Sequence, residues 1–163
     1  MKWYSTLMDN FVRVITVFLA VCLSVMTIVT VLEVVRRYIF GASFPWAEEL
    51  VRYLLVWVTF VGGAAAFRKG NLVILDLVIG RLSEKVTTIL QIVTNTAILA
   101  FLLFLLQNGL NYVISPTIIR QTSIGLGIPM TIPYAAIPLG VGLMILFCIE
   151  NYTALFQKLG KES

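Results

Sequence analysis

The stretch that decides the fold is Val14–Leu32, VITVFLAVCLSVMTIVTVL, which carries no charge and is long enough to cross ~30 Å of hydrocarbon as a helix. Three further runs of the same kind follow. Leu50–Phe67 has only Arg52 near its start, within snorkelling reach of the interface. Val86 to Leu106 and Ile128 to Ile149 complete the set. Open sheets cannot cross lipid, because their edge N–H and C=O groups would find no partner there, so the runs read as helices. The expected fold is an all-α integral membrane protein: four transmembrane helices, approximately 11–35, 46–68, 86–110 and 128–151, plus short interfacial amphipathic helices. The whole chain, 1–163, reads as a single membrane domain.

Composition supports this reading. Of 163 residues, 60% are apolar and 12% charged, and the mean hydropathy is +0.97. A soluble domain is nearer half apolar and a quarter charged. A chain this short cannot hide so much apolar surface in one core, and disorder requires low hydrophobicity. The first run has no small-x-small cleavage site before Glu33, so it is read as a retained helix.

The inventory also limits the chemistry. There is no histidine, which removes Ser-His-Asp and Cys-His catalysis and nearly all zinc chemistry. Cys22 and Cys148 each lie inside an apolar run, without a CxxC, and read as small core residues. No enzyme activity, cofactor or metal is expected. The net charge of +4 comes from basic residues beside apolar runs, so it speaks for membrane orientation and not for nucleic acid.

Four spans place both termini on one side. The terminal segments and the middle loop hold Lys2, Arg13, Arg68, Lys69, Arg81, Lys85, Lys158 and Lys161, against Arg36, Arg37, Arg52 and Arg120 in the other loops. This bias favours cytoplasmic termini. Glu33 is spaced to pair with Arg36 and Arg37, Glu48 with Arg52, and Asp9 with Arg13. Pro45 suits the first turn of the second helix, where Glu48 and Glu49 complement the helix dipole. Pro138 should kink the fourth helix.

Between the spans, residues 71–84 read NLVILDLVIGRLSE, with Asp76, Gly80, Ser83 and Glu84 on one helical face. This is either a helix lying in the interface or one packed on the rest of the chain. Met1–Asn10, with Trp3 and Tyr4, looks like a weaker interfacial piece. Leu106–Ile128 is nearly uncharged but polar, and reads as the third helix overrunning the membrane, then an outer loop that either packs on something or simply connects.

Pumps place ionisable groups at mid-membrane. Glu33, Glu48, Glu49, Asp76 and Glu150 all lie at span ends or in loops. Gln91 and Asn95, spaced i,i+4, suit inter-helix hydrogen bonding. Small residues mark helix packing: Gly62, Gly63 and Ala66 in the second helix, Ala136 and Gly140 in the fourth.

The residues from 33 to 142 carry a resemblance. Pro45-Trp46-Ala47-Glu48-Glu49-Leu50-Val51-Arg52-Tyr53, then Trp57, Gly62-Gly63-Ala64, Arg68-Lys69-Gly70 and Asp76, resemble the signature of the small membrane subunit of tripartite ATP-independent periplasmic (TRAP) transporters, the DctQ-like family. So do Ser123-Ile124-Gly125-Leu126-Gly127-Ile128-Pro129, Ile132-Pro133-Tyr134 and Ile137-Pro138-Leu139-Gly140. That family often has a histidine where this chain has Asn71. The resemblance implies a bacterial inner-membrane protein that braces a large multi-helix subunit holding the substrate and sodium sites. A periplasmic substrate-binding protein would deliver an organic acid, such as a dicarboxylate or a sialic acid. On this reading Glu33, Arg36 and Arg37 are placed for docking. Trp46, Glu48, Glu49 and Arg52 form an outer cluster facing a partner, and Arg68, Lys69, Asp76 and Arg81 anchor the inner interface among membrane lipids. The other open reading is a four-helix assembly or scaffold subunit of another bacterial membrane complex. A small multidrug exporter would need a mid-span acid in its first helix, where only Glu33 stands at the end.

Overall fold

A computed structural model describes residues 2–70 and 84–159, and the side chains of residues 8–68, 86–152 and 155. The expected interfacial helix at 71–84, with Asp76 and Arg81, falls outside the described residues, as does the side chain of Lys69.

The described residues form α1 (Lys2–Phe40), α2 (Ala47–Gly70), α3 (Glu84–Val113), the single turns α4 (Pro116–Ile119) and α5 (Thr131–Tyr134), and α6 (Ala136–Leu159). Four stretches, Met8–Phe40, Ala47–Arg68, Val86–Val113 and Thr131–Tyr152, are long and apolar enough to cross a membrane. The protein is therefore all-α and multi-pass.

Among the described residues the N-terminal stretch is continuous with the first span. Lys2–Phe40 is one continuous helix of 39 residues, roughly 58 Å at 1.5 Å per residue. Nothing between Lys2 and Phe40 is Gly or Pro, so the stretch read as a weaker interfacial piece runs into the span without a break. It stops at Gly41, whose φ of 64° lies in the left-handed region that ends helices cheaply only with glycine.

Pro138 acts one turn upstream. It has no N–H to give Tyr134, and the helix is interrupted at Ala135, between α5 and α6. Ala135 accepts from the Leu139 N–H at 3.2 Å, so the chain resumes at once.

The helices pack as a row in the order α1, α2, α6, α3. One third of the most apolar window of Thr131–Tyr152 is buried, 33%, against 11% for that of Met8–Phe40, so α6 is the centre and α1 an outer member. Val12, Ala64 and Phe147 join α1, α2 and α6. Leu102, Val141 and Cys148 join α3 to α6. Gly140 sets the α2–α6 spacing: a Cβ there would lie 2.6 Å from Phe60 Cβ and 2.7 Å from its carbonyl carbon and oxygen. With lipid on all sides, such backbone proximity supplies packing that hydrophobicity cannot.

Lipid-facing hydroxyls are satisfied within their own helices. Thr27, Thr30 and Thr59 each donate to the carbonyl four residues earlier, at 2.8–2.9 Å. Asn95 is buried and donates to the Cys148 carbonyl at 3.2 Å, an inter-helix bond between α3 and α6. Cys22 and Cys148 are free and buried.

Candidate functional site

The described charged side chains gather at the two ends of the row. At the end opposite the termini, the chain after α3 turns through α4 and folds back on the start of α2. The Ser123 N–H donates to the Ile128 carbonyl (2.9 Å) and the Met130 N–H to that of Gln121 (3.0 Å), which closes the loop on itself. The loop then wraps the Glu49 carboxylate. Ser123 Oγ donates to Oε2 at 2.6 Å, Gly125 N–H at 2.9 Å and Leu126 N–H at 3.1 Å, while Ile124 N–H reaches Oε1 at 3.2 Å. Successive N–H groups converging on one carboxylate make an anion-binding nest. Here the anion is the chain's own side chain.

Two further contacts seat the loop. Tyr53, one turn after Glu49, donates its hydroxyl to Met130 Sδ at 3.3 Å. Gly125 lies so close to the chain before α2 that a Cβ would meet the Pro45 carbonyl oxygen at 2.6 Å. The stretch 106–128 is thus no simple connector. Its polar, uncharged residues satisfy a carboxylate.

Glu48 behaves differently from its neighbour. It is exposed and forms no ion pair with Arg52, contrary to the i,i+4 expectation. An exposed pair gains little in water and costs side-chain entropy. Arg52 is likewise exposed.

The pairing of Glu33 with Arg36 and Arg37 is not formed either. Glu33 Oε2 accepts the Phe44 N–H at 2.9 Å, which ties the α1–α2 turn to α1. The Arg36 guanidinium stacks over the Phe44 ring, 3.7 Å from its centroid. Phe44 in turn packs on Trp46, centroids 5.3 Å apart. Arg37 and Glu48 line a cavity of about 340 Å3 with Glu33 and the turn residues 41–45. The structure brings the expected docking residues to one end, organised around an aromatic ring instead of salt bridges.

At the end carrying the termini, Arg68 joins three helices. Its Nε and Nη2 bind Glu150 in a bidentate pair, at 2.8 and 2.9 Å, and Nη1 binds Asp9 Oδ1 at 2.8 Å. Its side chain is 17% exposed. Arg68 was expected to anchor headgroups with Lys69, and Asp9 to pair with Arg13. The guanidinium instead clamps α1, α2 and α6, its planar fork taking both Glu150 oxygens and its remaining nitrogen Asp9. Arg68 and Glu150 end two apolar runs on the same side, which brings them to one end of the row without stating that they pair.

The expected packing residues divide. Ala136 and Gly140 are buried at the α2–α6 crossing. Gly63 faces Met144 Cε at 3.1 Å for an added Cβ, and Gly62 faces Leu19 at ordinary contact distance. Ala66 is exposed, so the Gly62–Ala66 spacing does not form a close crossing among the described residues. Buried Ala64 and Ala65 do that work.

Comparison with known proteins fits this architecture. Residues 26–158 match the family model of the tripartite ATP-independent periplasmic transporters, DctQ component. The chain is 33% identical over 104 residues to the C4-dicarboxylate TRAP transporter small permease protein DctQ of Rhodobacter capsulatus, covering 64% of this chain and 46% of that protein. It is 28% identical over 142 residues to the ectoine TRAP transporter small permease protein TeaB of Halomonas elongata, covering 85% and 74%. Against the isethionate TRAP transporter permease protein DctMQ of Oleidesulfovibrio alaskensis it is 24% identical over 111 residues, covering 68% of this chain and 18% of that protein. The chain thus spans less than half the length of the first and under a fifth of the last. These relatives are transporter permeases, and the family is not enzymatic. Over the greater part of its length the chain belongs to the DctQ component family of TRAP transporters.

Proposed function

We propose that the chain is the small membrane subunit of a sodium-driven TRAP transporter, and that it braces a large transport subunit in the bacterial inner membrane with both termini in the cytoplasm. The observation that carries this is the helix row clamped at both ends. Glu49 holds one end, Arg68 holds the other, and the charged side chains gather there and not at mid-membrane. Among the described residues such a row offers no charged side chain at mid-span for coupling, which needs ionisable groups inside the membrane. It offers stiffness and two apolar faces. The small share of the DctMQ relative that the chain matches fits a part working beside a larger one. The named substrates of the relatives, a C4-dicarboxylate, ectoine and isethionate, differ among proteins that match the same chain. That supports placing substrate choice in another subunit; the substrate class proposed here is an organic acid.

Reconstitution of the large subunit with and without this chain tests the bracing role. Sodium-dependent uptake should need both, and undiminished uptake by the large subunit alone would refute it. The end with Glu33, Arg36, Arg37 and Glu48 is the proposed docking surface for a periplasmic binding protein. Charge reversal at Arg36 and Arg37 should weaken uptake at limiting binding protein; unchanged uptake removes the docking role.

A further inference from the structure

At the end carrying the termini, a cleft of about 630 Å3 opens between α1 and α6, walled by Asp9, Arg13, Thr16, Arg68, Glu150 and Asn151. Two of its groups are already committed. Arg68 spends its guanidinium on Glu150 and on Asp9 Oδ1. Two are not. Arg13 forms no hydrogen bond or ion pair among the described residues, although Asp9 stands one turn away. Asp9 uses Oδ1 alone and is 70% exposed, so Oδ2 faces the cleft's surroundings without a described partner. The cleft thus presents one uncommitted cation and one uncommitted carboxylate oxygen, a helical turn apart.

The cleft lies where the charged end of the row meets the apolar length of α1. α1 carries no charge from Val14 to Leu32, so Arg13 stands at the edge of the apolar run. Below the cleft the same face of α1 is apolar. Thr16 turns its hydroxyl to the Val12 carbonyl at 2.8 Å, and Ala20 and Leu23 are exposed further in. Two arginines and two acids in the wall sum to no net charge, which suits a zwitterion better than an anion.

We propose that this cleft seats an aminophospholipid, with Arg13 on the phosphate, Asp9 Oδ2 on the primary ammonium and the acyl chains along α1. A phosphate gains from a guanidinium. A primary ammonium gives Asp9 N–H donors that a trimethylated one lacks.

Native mass spectrometry of the full chain in mild detergent tests it, with phosphatidylethanolamine, phosphatidylcholine, phosphatidylglycerol and inorganic phosphate as probes. The ethanolamine lipid should be retained over the other two. Arg13→Ala should weaken its binding about tenfold, as losing one charged contact implies, while Arg13→Lys keeps most of it. Asp9→Asn should erase the preference over the choline lipid. Arg52→Ala, at the other end, should leave binding unchanged. Equal retention of the three lipids, full retention by Arg13→Ala, or displacement of the lipid by inorganic phosphate at similar concentration would overturn the proposal, the last by showing a site for a free anion.

Discussion

The two ends of the helix row meet the same difficulty, an ionised side chain at the rim of a membrane protein, and resolve it with different chemistry. At the terminal end a cation is matched by two carboxylates from other helices, with Arg68 between Glu150 and Asp9. At the other end a carboxylate is matched by dipoles alone, the N–H groups of residues 124–126 and the Ser123 hydroxyl. A charge pair binds helix to helix and leaves the connecting chain free. A nest of backbone donors fixes the chain that supplies them. The first end is therefore a clamp on helices, and the second is a clamp on a loop.

The sharpest way to break the comparison is Glu49→Ala. It leaves the Ser123 hydroxyl and the Ile124 and Gly125 N–H groups without their acceptor, while the Leu126 N–H keeps only Ser123 Oγ, and unmade bonds of docked polar groups cost more than made ones gain. The loop 121–130 should lose its seat on α2. Trypsin cleavage after Arg120, which stands exposed at the loop's entry, should accelerate several-fold in detergent, with a fall of several degrees in the unfolding midpoint. Glu49→Gln keeps one carbonyl oxygen and should lie between the two. An unaltered cleavage rate in Glu49→Ala would show that Tyr53 and the Gly125 contact hold the loop unaided.

Arg68→Met should have the smaller effect, ~1–2 kcal/mol. Its partners stand near the rim, where water can take over part of their solvation. Arg68→Lys should recover only part of the loss, because an ammonium cannot grip both Glu150 oxygens as a planar fork does. Thermal unfolding in detergent at low and high salt checks this. The wild type should lose part of its margin in salt, and Arg68→Met should not. A loss exceeding that of Glu49→Ala would reverse the ranking of the two ends.

How much of this was legible can be argued from α2. The apolar run fixed the helix, and the first-turn position of Glu48 and Glu49 was readable from the residues. Their division was readable too, from spacing not followed through. Glu49, Tyr53, Trp57, Phe60 and Ala64 share the face turned to the other helices, and Glu48, Arg52, Leu55 and Thr59 the exposed one. Other features lay beyond the sequence. Arg68 and Glu150 are 82 positions apart, and nothing local states which of several acids at that end the guanidinium will take. The order α1, α2, α6, α3 was equally hidden, because lipid is as apolar as leucine and helices facing it need no distinguishing stripe. Gly140 and Ala66 look alike as small residues; only the approach of Phe60 tells them apart.

The smallest expected effect sharpens the comparison most, because it isolates one of two adjacent glutamates. Glu48→Ala removes a side chain that is exposed and makes no ion pair with Arg52, so loop proteolysis and the unfolding midpoint should both match the wild type. Glu48 does line the cavity with Glu33 and Arg37, on the surface proposed to receive a binding protein. Uptake measured at limiting binding protein therefore separates two roles that stability cannot. If Glu48→Ala lowers uptake while the loop stays closed, the end opposite the termini has a bracing half at Glu49 and a docking half at Glu48. If uptake is also unchanged, docking falls to Arg36 and Arg37 alone, held by the Phe44 ring.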